Sequence, residues 1–445
     1  MKISLPYSKN KRYLTGIDWI IHVLNYMTLK ETGTGFMSQV ILELHGKVDA
    51  LQIESSLSAF MKKYPVLNGH TSRDFNLAPY WKIPAAGTGK ISFEIIHLTN
   101  SHKEGASFDD VLTSLEKGIN RPFRNRKEHV AFHLITKGGK SYVAMTFDHL
   151  VFDARNAEAF LNIFQKDWEG GEDSGNMTIT EPAHLSMWMD KFKAGQRVNR
   201  AFLQIADRVP PRVLPLPPGK KIGFKFKILS FSREEAEAIT ENAFNKAGYL
   251  MLMPYALSAS VSALHEIFAG RGFASGNYVI PVSIDTRKKE EVMRQVFFNN
   301  VSFFIFKVGA DLAVRFPELL KSVKEQMYNQ VKADLPGDIC KASLLMRIAP
   351  LPLLGSLLKI YLKGQIASFS FSYVGETSYE SSCFMDNKII NIFHMPRVPV
   401  PPGIGIFFQQ SKENLNIILS YIDGMLTDEE SGKIFDLLKS RLGVE

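Results

Sequence analysis

The chain has 445 residues, of which 45% are hydrophobic and 22% are charged, and its formal net charge is +8. This length suits two domains of roughly 200 residues each, and the composition excludes disordered and fibrous proteins. The lysines and arginines are scattered along the chain and no zinc-ligand spacing occurs. We therefore expect no nucleic-acid partner and no metal site.

The cysteine content and the apolar runs point to a cellular setting. Only two cysteines occur, Cys340 and Cys383, which argues against a disulfide framework and favours a reducing compartment. The N-terminal segment is polar and lacks the apolar core of a signal peptide. No stretch of about 18 apolar residues is free of charges and prolines, so no membrane-spanning helix is predicted. We expect a cytoplasmic protein.

The first half of the chain predicts strands and helices in alternation. Val40, Leu42 and Leu44 alternate as in a half-buried strand, and apolar residues at helical spacing between 51 and 61 predict a helix that ends before Pro65. The glycines of "KGGK" (137–140) predict a tight hairpin. Further strands are predicted at 92–98, 129–136 and 141–148, and further helices at about 107–119, 156–168 and 184–206.

A proline-rich stretch separates the two halves. Residues 208–221, "RVPPRVLPLPPGKK", hold five prolines and predict a stiff, extended linker between a domain of residues 1–207 and a domain of residues 222–445. The second domain is again predicted to be α+β with a mixed sheet. Its strands are predicted at 223–231, 277–283, 300–308, 366–374, 387–393, 403–410 and 415–422, and its helices at 233–246, 254–269, 312–333 and 427–441.

The stretch "MTFDHLVFDARN" (145–156) places His149 at the end of a predicted strand and Asp153 just before a predicted helix. A neutral imidazole is the side chain best suited to take a proton from a hydroxyl, amine or thiol near pH 7. The apolar residues between the two would desolvate the imidazole and favour its neutral form. The stretch alone leaves two interpretations open: a general base with an orienting carboxylate, or a surface histidine beside a helix-capping aspartate.

Several segments resemble, in the same order, motifs of the CoA-dependent acyltransferase superfamily. This superfamily includes chloramphenicol acetyltransferase, the condensation domains of peptide synthetases, wax ester synthases and alcohol acyltransferases. "DHLVFDA" (148–154) resembles H-H-x-x-x-D-G. "PVSIDTR" (281–287) and "FNNVSFF" (298–304) resemble the Pro-Val-x-x-x-x-Arg and Gly-Asn segments, and "FSYVGE" (371–376) resembles Ser-Asn-x-Gly. Each motif is weak alone, so the resemblance depends on their order along the chain.

The resemblance implies an α+β fold of two chloramphenicol-acetyltransferase-like subdomains with mixed sheets, arranged as a V around a central tunnel. It implies that His149 lies at the tunnel centre and acts as the general base, deprotonating an acceptor that attacks an acyl thioester. Asp153 and Arg287 are implied to form a buried ion pair that supports the His149 loop. Ser372 is implied to contact the oxyanion or the acceptor.

Three positions depart from the family pattern. Asp148 stands in place of the first motif histidine, Ala154 in place of the glycine, and Tyr373 in place of the asparagine of Ser-Asn-x-Gly. The second motif histidine, the proposed base, is retained. The departures keep a second interpretation open, in which the chain is a non-catalytic condensation-like module that binds a carrier protein or a lipid.

We therefore expect a stand-alone acyltransferase that moves an acyl group from acyl-CoA or an acyl-carrier protein to a hydroxyl or amine of a small-molecule or lipid acceptor. The resemblance implies no tightly bound cofactor, because the thioester is already activated.

The apolar segment "LLMRIAPLPLLGSLLKIYLKG" (344–364) has two interpretations, and its prolines predict two short helices in either case. The first is core packing beneath the second sheet. The second is an apolar lip at the tunnel mouth that contacts the inner membrane surface, with Lys359 and Lys363 facing anionic headgroups.

Overall fold

The structure is a computed structural model that describes residues 10–98, 108–171, 188–219, 222–273, 276–288, 291–292 and 294–444. Three parts of the predicted elements lie outside the described residues: residue 107, residues 184–187 and residues 220–221.

The described residues form helices and strands along the whole chain. The helices are α1 (Gly16–Thr32), α2 (Ala50–Lys62), α3 (Asp109–Ile119), α4 (Ala154–Trp168), α5 (Trp188–Ile205), α6 (Arg233–Ala247), α7 (Leu252–Gly270), α8 (Ala310–Ala313), α9 (Phe316–Lys332), α10 (Leu335–Met346), α11 (Leu351–Ile360) and α12 (Asp428–Leu442). The strands are β1 (Lys11–Tyr13), β2 (Met37–His45), β3 (His70–Arg73), β4 (Pro79–Lys82), β5 (Ser92–His97), β6 (Val130–Lys137), β7 (Lys140–Asp148), β8 (Phe224–Phe231), β9 (Asn277–Asp285), β10 (Val301–Gly309), β11 (Ser370–Glu376), β12 (Cys383–Phe384), β13 (Asn387–Pro396), β14 (Ile404–Gln410) and β15 (Leu415–Ile422).

Two mixed six-stranded sheets form the framework, with a small third sheet in the order β1-β4-β3. The first large sheet has the order β12-β13-β2-β7-β6-β5, and the second has the order β10-β9-β11-β14-β15-β8. Strands β12 and β13 follow the proline-rich stretch in the chain, yet β13 pairs antiparallel with β2, with His394 opposite Val40. The second half of the chain thus completes the sheet of the first half.

Local sequence explains where the elements around the site begin and end. The "KGGK" hairpin is confirmed: Gly138 and Gly139 have φ of 58° and 81°, and Lys137 pairs with Lys140. Helix α4 begins at residue 154, two residues earlier than predicted, because the Asp153 carboxylate accepts a hydrogen bond from the Asn156 backbone N–H and caps the helix.

Strand β9 contains Pro281 in its interior and ends at Asp285, two residues after its predicted end at residue 283. Pro281 lies opposite Ile305 of β10, and the backbone N–H and C=O of Ile305 bond to the side-chain amide of Gln330. At this position the ladder needs no backbone bond between β9 and β10, so a proline is tolerated.

Of the two short helices predicted for 344–364, the structure shows one, α11, which begins after Pro350; the other prediction was wrong, because the preceding helix α10 lies mostly before this segment and ends at Met346. Helix α11 has two faces. Leu354 is fully buried, whereas Leu353 and Ile360 are 53% and 60% exposed. Taken alone, no described helix combines the length and apolar composition of a membrane span; the pair α6 and α7, bent by 93°, passes that test only when joined.

Candidate active site

One cavity of about 920 Å³ lies between the two large sheets and is lined by residues from both halves of the chain. On the second sheet its lining follows strand alternation: Ser283 of β9 is paired with Phe303 of β10, and Ser372 of β11 is paired with Phe407 of β14. Since alternate residues of a strand face the same side, this face of the sheet is the cavity wall. His149 lines the same cavity from the first sheet.

His149 directly follows β7, and its ring orientation is defined by two contacts. The ring stacks on Phe36 with 4.4 Å between the ring centroids. Its Nδ1 lies 3.1 Å from the carbonyl oxygen of Phe152. Because a carbonyl can only accept, Nδ1 carries the proton, and Nε2 is left as the nitrogen with a lone pair.

Burial lowers the pKa of His149 to about 4, although the Phe152 carbonyl and the carboxylates of Asp148 and Asp153 act in the opposite direction. Desolvation penalises the imidazolium more than these groups stabilise it. The imidazole is therefore neutral at pH 7, as the apolar surroundings in the sequence predicted. Asp148, in place of the first motif histidine, lies 3.1 Å from Nδ1 of the buried His129.

The structure brings Asp153 and Arg287 together, with Oδ1 of Asp153 3.1 Å from Nη2 of Arg287. The guanidinium also forms a two-pronged pair with Asp285, at 2.9 Å for both Nε and Nη2, and its Nη1 donates to the side-chain oxygen of Asn156. Burial lowers the pKa of Arg287, but Asp153 and Asp285 outweigh this effect and raise it. The side chain of Arg287 is 2% exposed, so this is a buried charged network.

Residues 298–300, in the second half of the chain, hold the His149 loop through three hydrogen bonds, each of which involves at least one backbone group. The N–H of Phe298 donates to the Val151 carbonyl at 2.6 Å, and the side-chain amide of Asn299 donates to the His149 carbonyl at 2.6 Å. The N–H of Asn300 donates to Oδ2 of Asp153 at 3.3 Å. The "FNN" motif resembled a family segment in the sequence, but no individual role was predicted for its asparagines.

Ser372 lies on the opposite wall of the cavity, where its hydroxyl is 3.0 Å from that of Ser283. When one hydroxyl of such a pair donates to the other, one O–H remains available for a third group. The structure thus places Ser372 in the same cavity as His149, together with a second hydroxyl that was not predicted.

A cluster of three buried polar side chains, two of which line the cavity, was missed by sequence reasoning. Glu158 of α4 is fully buried, and its Oε1 accepts hydrogen bonds from Nε2 of His394 at 2.9 Å and from Nε2 of Gln409 at 2.7 Å. His394 and Gln409 both line the cavity. The three residues come from α4, β13 and β14. Because α4 lies more than 200 residues from the two strands in the sequence, no local pattern predicted that the three side chains meet.

In the part of the chain that the structure describes, no group of three or more histidine, cysteine, aspartate or glutamate side chains is arranged to bind a metal ion.

Comparisons with known proteins show the fold. No protein-family model and no curated protein sequence matches the chain. Among solved structures, it is similar to TRI3 trichothecene 15-O-acetyltransferase from Fusarium sporotrichioides, with a TM-score of 0.69 and 11% identity over 97% of this chain and 95% of that one.

Two condensation domains are also similar. The first condensation domain of the calcium-dependent antibiotic synthetase has a TM-score of 0.66 and 12% identity over 98% and 96% of the two chains. The starter condensation domain of rhizomide synthetase, solved with C8-CoA and Leu-SNAC, has a TM-score of 0.65 and 8% identity over 98% and 94%. The α+β fold with two mixed sheets that the resemblance implied is therefore confirmed over nearly the whole chain.

Proposed function

We propose that this protein is an acyltransferase that moves an acyl group from an acyl-CoA or acyl-carrier thioester to a hydroxyl or amine acceptor, with His149 as the general base. The observation that carries the proposal is the orientation of His149. Its Nδ1 is bonded to the Phe152 carbonyl, and its Nε2 keeps a lone pair beside the cavity. A neutral histidine held in one tautomer is suited to general-base catalysis.

The proposed reaction has two proton transfers at one nitrogen. Nε2 takes the proton of the acceptor as its oxygen or nitrogen attacks the thioester carbonyl carbon. The tetrahedral intermediate then breaks its carbon–sulfur bond, and the imidazolium returns the proton to the leaving thiolate. The low pKa of about 4 makes His149 a modest base and its imidazolium a ready acid, which suits the second transfer.

Ser372 is proposed to donate its hydroxyl to the oxyanion of the intermediate, with Ser283 orienting that hydroxyl. A donor aimed at an oxyanion contributes on the order of 3 kcal/mol to lowering the barrier. Asp153, Arg287 and Asn299 are proposed to position the His149 loop, and none of them is assigned a proton-transfer role.

The test is thiol release from acyl-CoA and acyl-N-acetylcysteamine donors, with a panel of alcohol and amine acceptors. We expect His149→Ala to slow acceptor-dependent release by about 10²–10⁴-fold with an unchanged circular-dichroism spectrum. His45→Ala, at an exposed position on β2, is the matched control and should keep full activity. Normal turnover in a folded His149→Ala protein would refute the mechanism.

The alternative is a condensation-like module that binds a carrier protein or a lipid without catalysis. It predicts that the wild type and His149→Ala bind the thioester equally and that neither releases thiol. The solved complex of the rhizomide synthetase domain with C8-CoA and Leu-SNAC supports thioesters as the donor class to try first. We include no tightly bound cofactor in the proposal.

We further propose a cytoplasmic protein that contacts the inner membrane surface through residues 344–364. Ile348 and Leu353 are 52% and 53% exposed and do not line the cavity. Changing both to serine should reduce co-sedimentation with anionic liposomes and leave activity unchanged. Tyr328 and Val331 of α9, 66% and 59% exposed, provide a control pair. Equal sedimentation of all three proteins would refute the membrane contact.

A further inference from the structure

The two sides of the cavity differ in polarity. Four helices, α1, α5, α10 and α11, cover one side of it, and we call their cavity-lining residues the helical wall. The wall includes Leu24 of α1, Val198 and Phe202 of α5, Ala342 and Leu345 of α10, and Leu358 of α11. Among the described residues, none of these helices contributes an aspartate, glutamate, lysine, arginine or histidine to the lining.

Asn199 and Ser343, the polar side chains of the helical wall, each have a partner within the protein. The hydroxyl of Tyr361 donates to the side-chain oxygen of Asn199, and the hydroxyl of Ser343 donates to the Cys340 carbonyl at 2.9 Å. A ligand group facing this wall therefore meets hydrocarbon and paired polar atoms. Away from the Asn199 side chain, a hydroxyl or an amine placed there would lose its water and gain no new partner.

We propose that the helical wall binds the acyl chain of the donor and that the donor is a medium- or long-chain acyl thioester, not an acetyl thioester. The proposal rests on the acyl-transfer function proposed above. An acyl chain has no hydrogen-bonding groups beyond its carbonyl, so it gains from this surface without leaving a polar group unpaired. Each methylene that leaves water for an apolar site strengthens binding by about fourfold, the equivalent of about 0.8 kcal/mol.

The size and the opening of the cavity agree with a chain of this kind. A volume of about 920 Å³ lies near the top of the range of roughly 300–1,000 Å³ for ligand pockets, and an acetyl group would leave most of it unfilled. Leu357 and Ile360 line the cavity and are also 40% and 60% exposed, so the cavity opens to the surface beside α11. A chain that outgrows the wall has an exit there.

Gly195 of α5 provides a way to block the wall. It lines the cavity, and a Cβ at this position would lie 3.7 Å from Cδ1 of Leu345, an ordinary contact distance. A leucine at this position therefore fits at its Cβ and fills space beyond it. Gly432 of α12 is exposed, and a Cβ at that position would have no atom within 4 Å, so Gly432→Leu applies the same helix substitution away from the cavity.

The experiment measures binding by calorimetry for CoA and for acyl-CoAs from C4 to C12, with the wild type, Gly195→Leu, Ala342→Leu and Gly432→Leu. We expect the wild type and Gly432→Leu to bind C8-CoA on the order of 100-fold more tightly than C4-CoA. In Gly195→Leu and Ala342→Leu this gain should fall below about tenfold, while C4-CoA binding changes by no more than about twofold.

Each outcome decides the proposal. Equal binding of C4-CoA and C8-CoA by the wild type would overturn it, and so would a Gly195→Leu protein that weakens all donors equally while folded. If neither cavity variant folds, the wild-type series alone decides. Turnover is not part of this readout. If the protein discriminates between acyl-chain lengths but shows no His149-dependent turnover, the proposed chemistry is refuted, whereas the proposed binding site for the acyl chain stands.

Discussion

The His149 loop and the helical wall line the same cavity, but different interactions hold them. The loop is held by directional bonds: Asn299 to the His149 carbonyl, Phe298 to the Val151 carbonyl, and the buried Asp153–Arg287 pair. The cavity-lining side chains of the helical wall are mostly apolar, and the Arg197–Asp338 ion pair, which does not line the cavity, also joins α5 to α10. Placing a proton acceptor requires fixed angles, whereas accommodating a chain requires only volume and the absence of unpaired polar groups.

This difference predicts how variants of the two regions fail. Changes in the loop network should lower turnover for every donor, because they displace the proposed base. Changes in the helical wall should alter the preference among donors and spare the rate with the shortest one. The predictions below test or refine this contrast, from the largest expected effect to the smallest.

Arg287→Ala should have the largest effect on stability. It leaves the buried carboxylate of Asp153 and the partly exposed carboxylate of Asp285 without their shared cation, and removing one partner of a buried charge network typically costs about 3–5 kcal/mol. We expect a loss of this size in urea unfolding and a lower kcat for all donors. Phe202→Ala in the helical wall is the comparison variant and should change donor preference instead.

A double-mutant cycle shows whether Asp153 and Arg287 act as a pair. Asp153→Ala leaves Arg287 with its two bonds to Asp285, so it should cost less than Arg287→Ala. The loss in the double variant should be less than the sum of the two single losses. Strict additivity would mean that the contact contributes nothing to stability, and the loop would then owe its position to Asn299 and its neighbours.

The strands and hairpins that carry the site could be predicted because their patterns are local. Alternation identified β2, and the "KGGK" glycines identified the turn between β6 and β7. Helix α1 (Gly16–Thr32) was missed, because its own buried apolar residues lie on most of its sides. They include Ile17, Trp19, Ile21 and Val23. A helix buried on most sides lacks the one-sided pattern by which helices are recognised.

The site was predicted in part, and the missing part is non-local. His149 stood out by its position after a strand, and the resemblance to a family paired Asp153 with Arg287, which lie 134 residues apart in the sequence. No local pattern shows that Glu158, His394 and Gln409 meet, because the contact requires β13 to cross to the first sheet. The apolar character of residues 344–364 was visible in the sequence, but their meeting with α1 and α5 was hidden for the same reason, since those two helices lie far from this segment in the chain.

Acid should destabilise the wild type partly through His149. Its pKa of about 4 in the folded protein lies below the ordinary value of 6.5. Between pH 6.5 and pH 4 the imidazole is therefore protonated in the unfolded chain and neutral in the folded protein. Stability from this group is present above pH 6.5 and is lost as the pH falls towards 4. Between pH 7 and pH 5 the wild type should lose about 2 kcal/mol more than His149→Gln in urea unfolding.

Other titrating groups are shared by the two proteins and cancel in this comparison. The same depressed pKa predicts that the acid limb of the turnover profile lies well below pH 6.5, because the proposed mechanism requires the neutral imidazole. Parallel stability curves for the two proteins would show that His149 is better solvated than its position beside Phe36 and Phe147 indicates.

Glu158→Leu tests the polar group that joins the two sheets. The change removes the acceptor of hydrogen bonds from His394, from Gln409 and from the Ser378 backbone N–H, and each donor left buried without a partner should cost about 1–3 kcal/mol. Glu158→Gln keeps one acceptor oxygen and should cost less. If the leucine variant were as stable as the wild type, these side chains would have found other partners, and the joint would not depend on the carboxylate.

The smallest effect should separate the two roles of Asp153. Its Oδ1 caps α4 through the Asn156 N–H at 2.9 Å and also contacts Arg287. Asp153→Asn keeps the cap and removes the charge, whereas Asp153→Ala removes both, and a lost N-cap typically costs about 1 kcal/mol. We expect the alanine variant to be about 1 kcal/mol less stable than the asparagine variant, with the same kcat in both. An alanine variant with a much lower kcat would mean that the contacts an asparagine oxygen can keep, to the first turn of α4 and to Arg287, position His149.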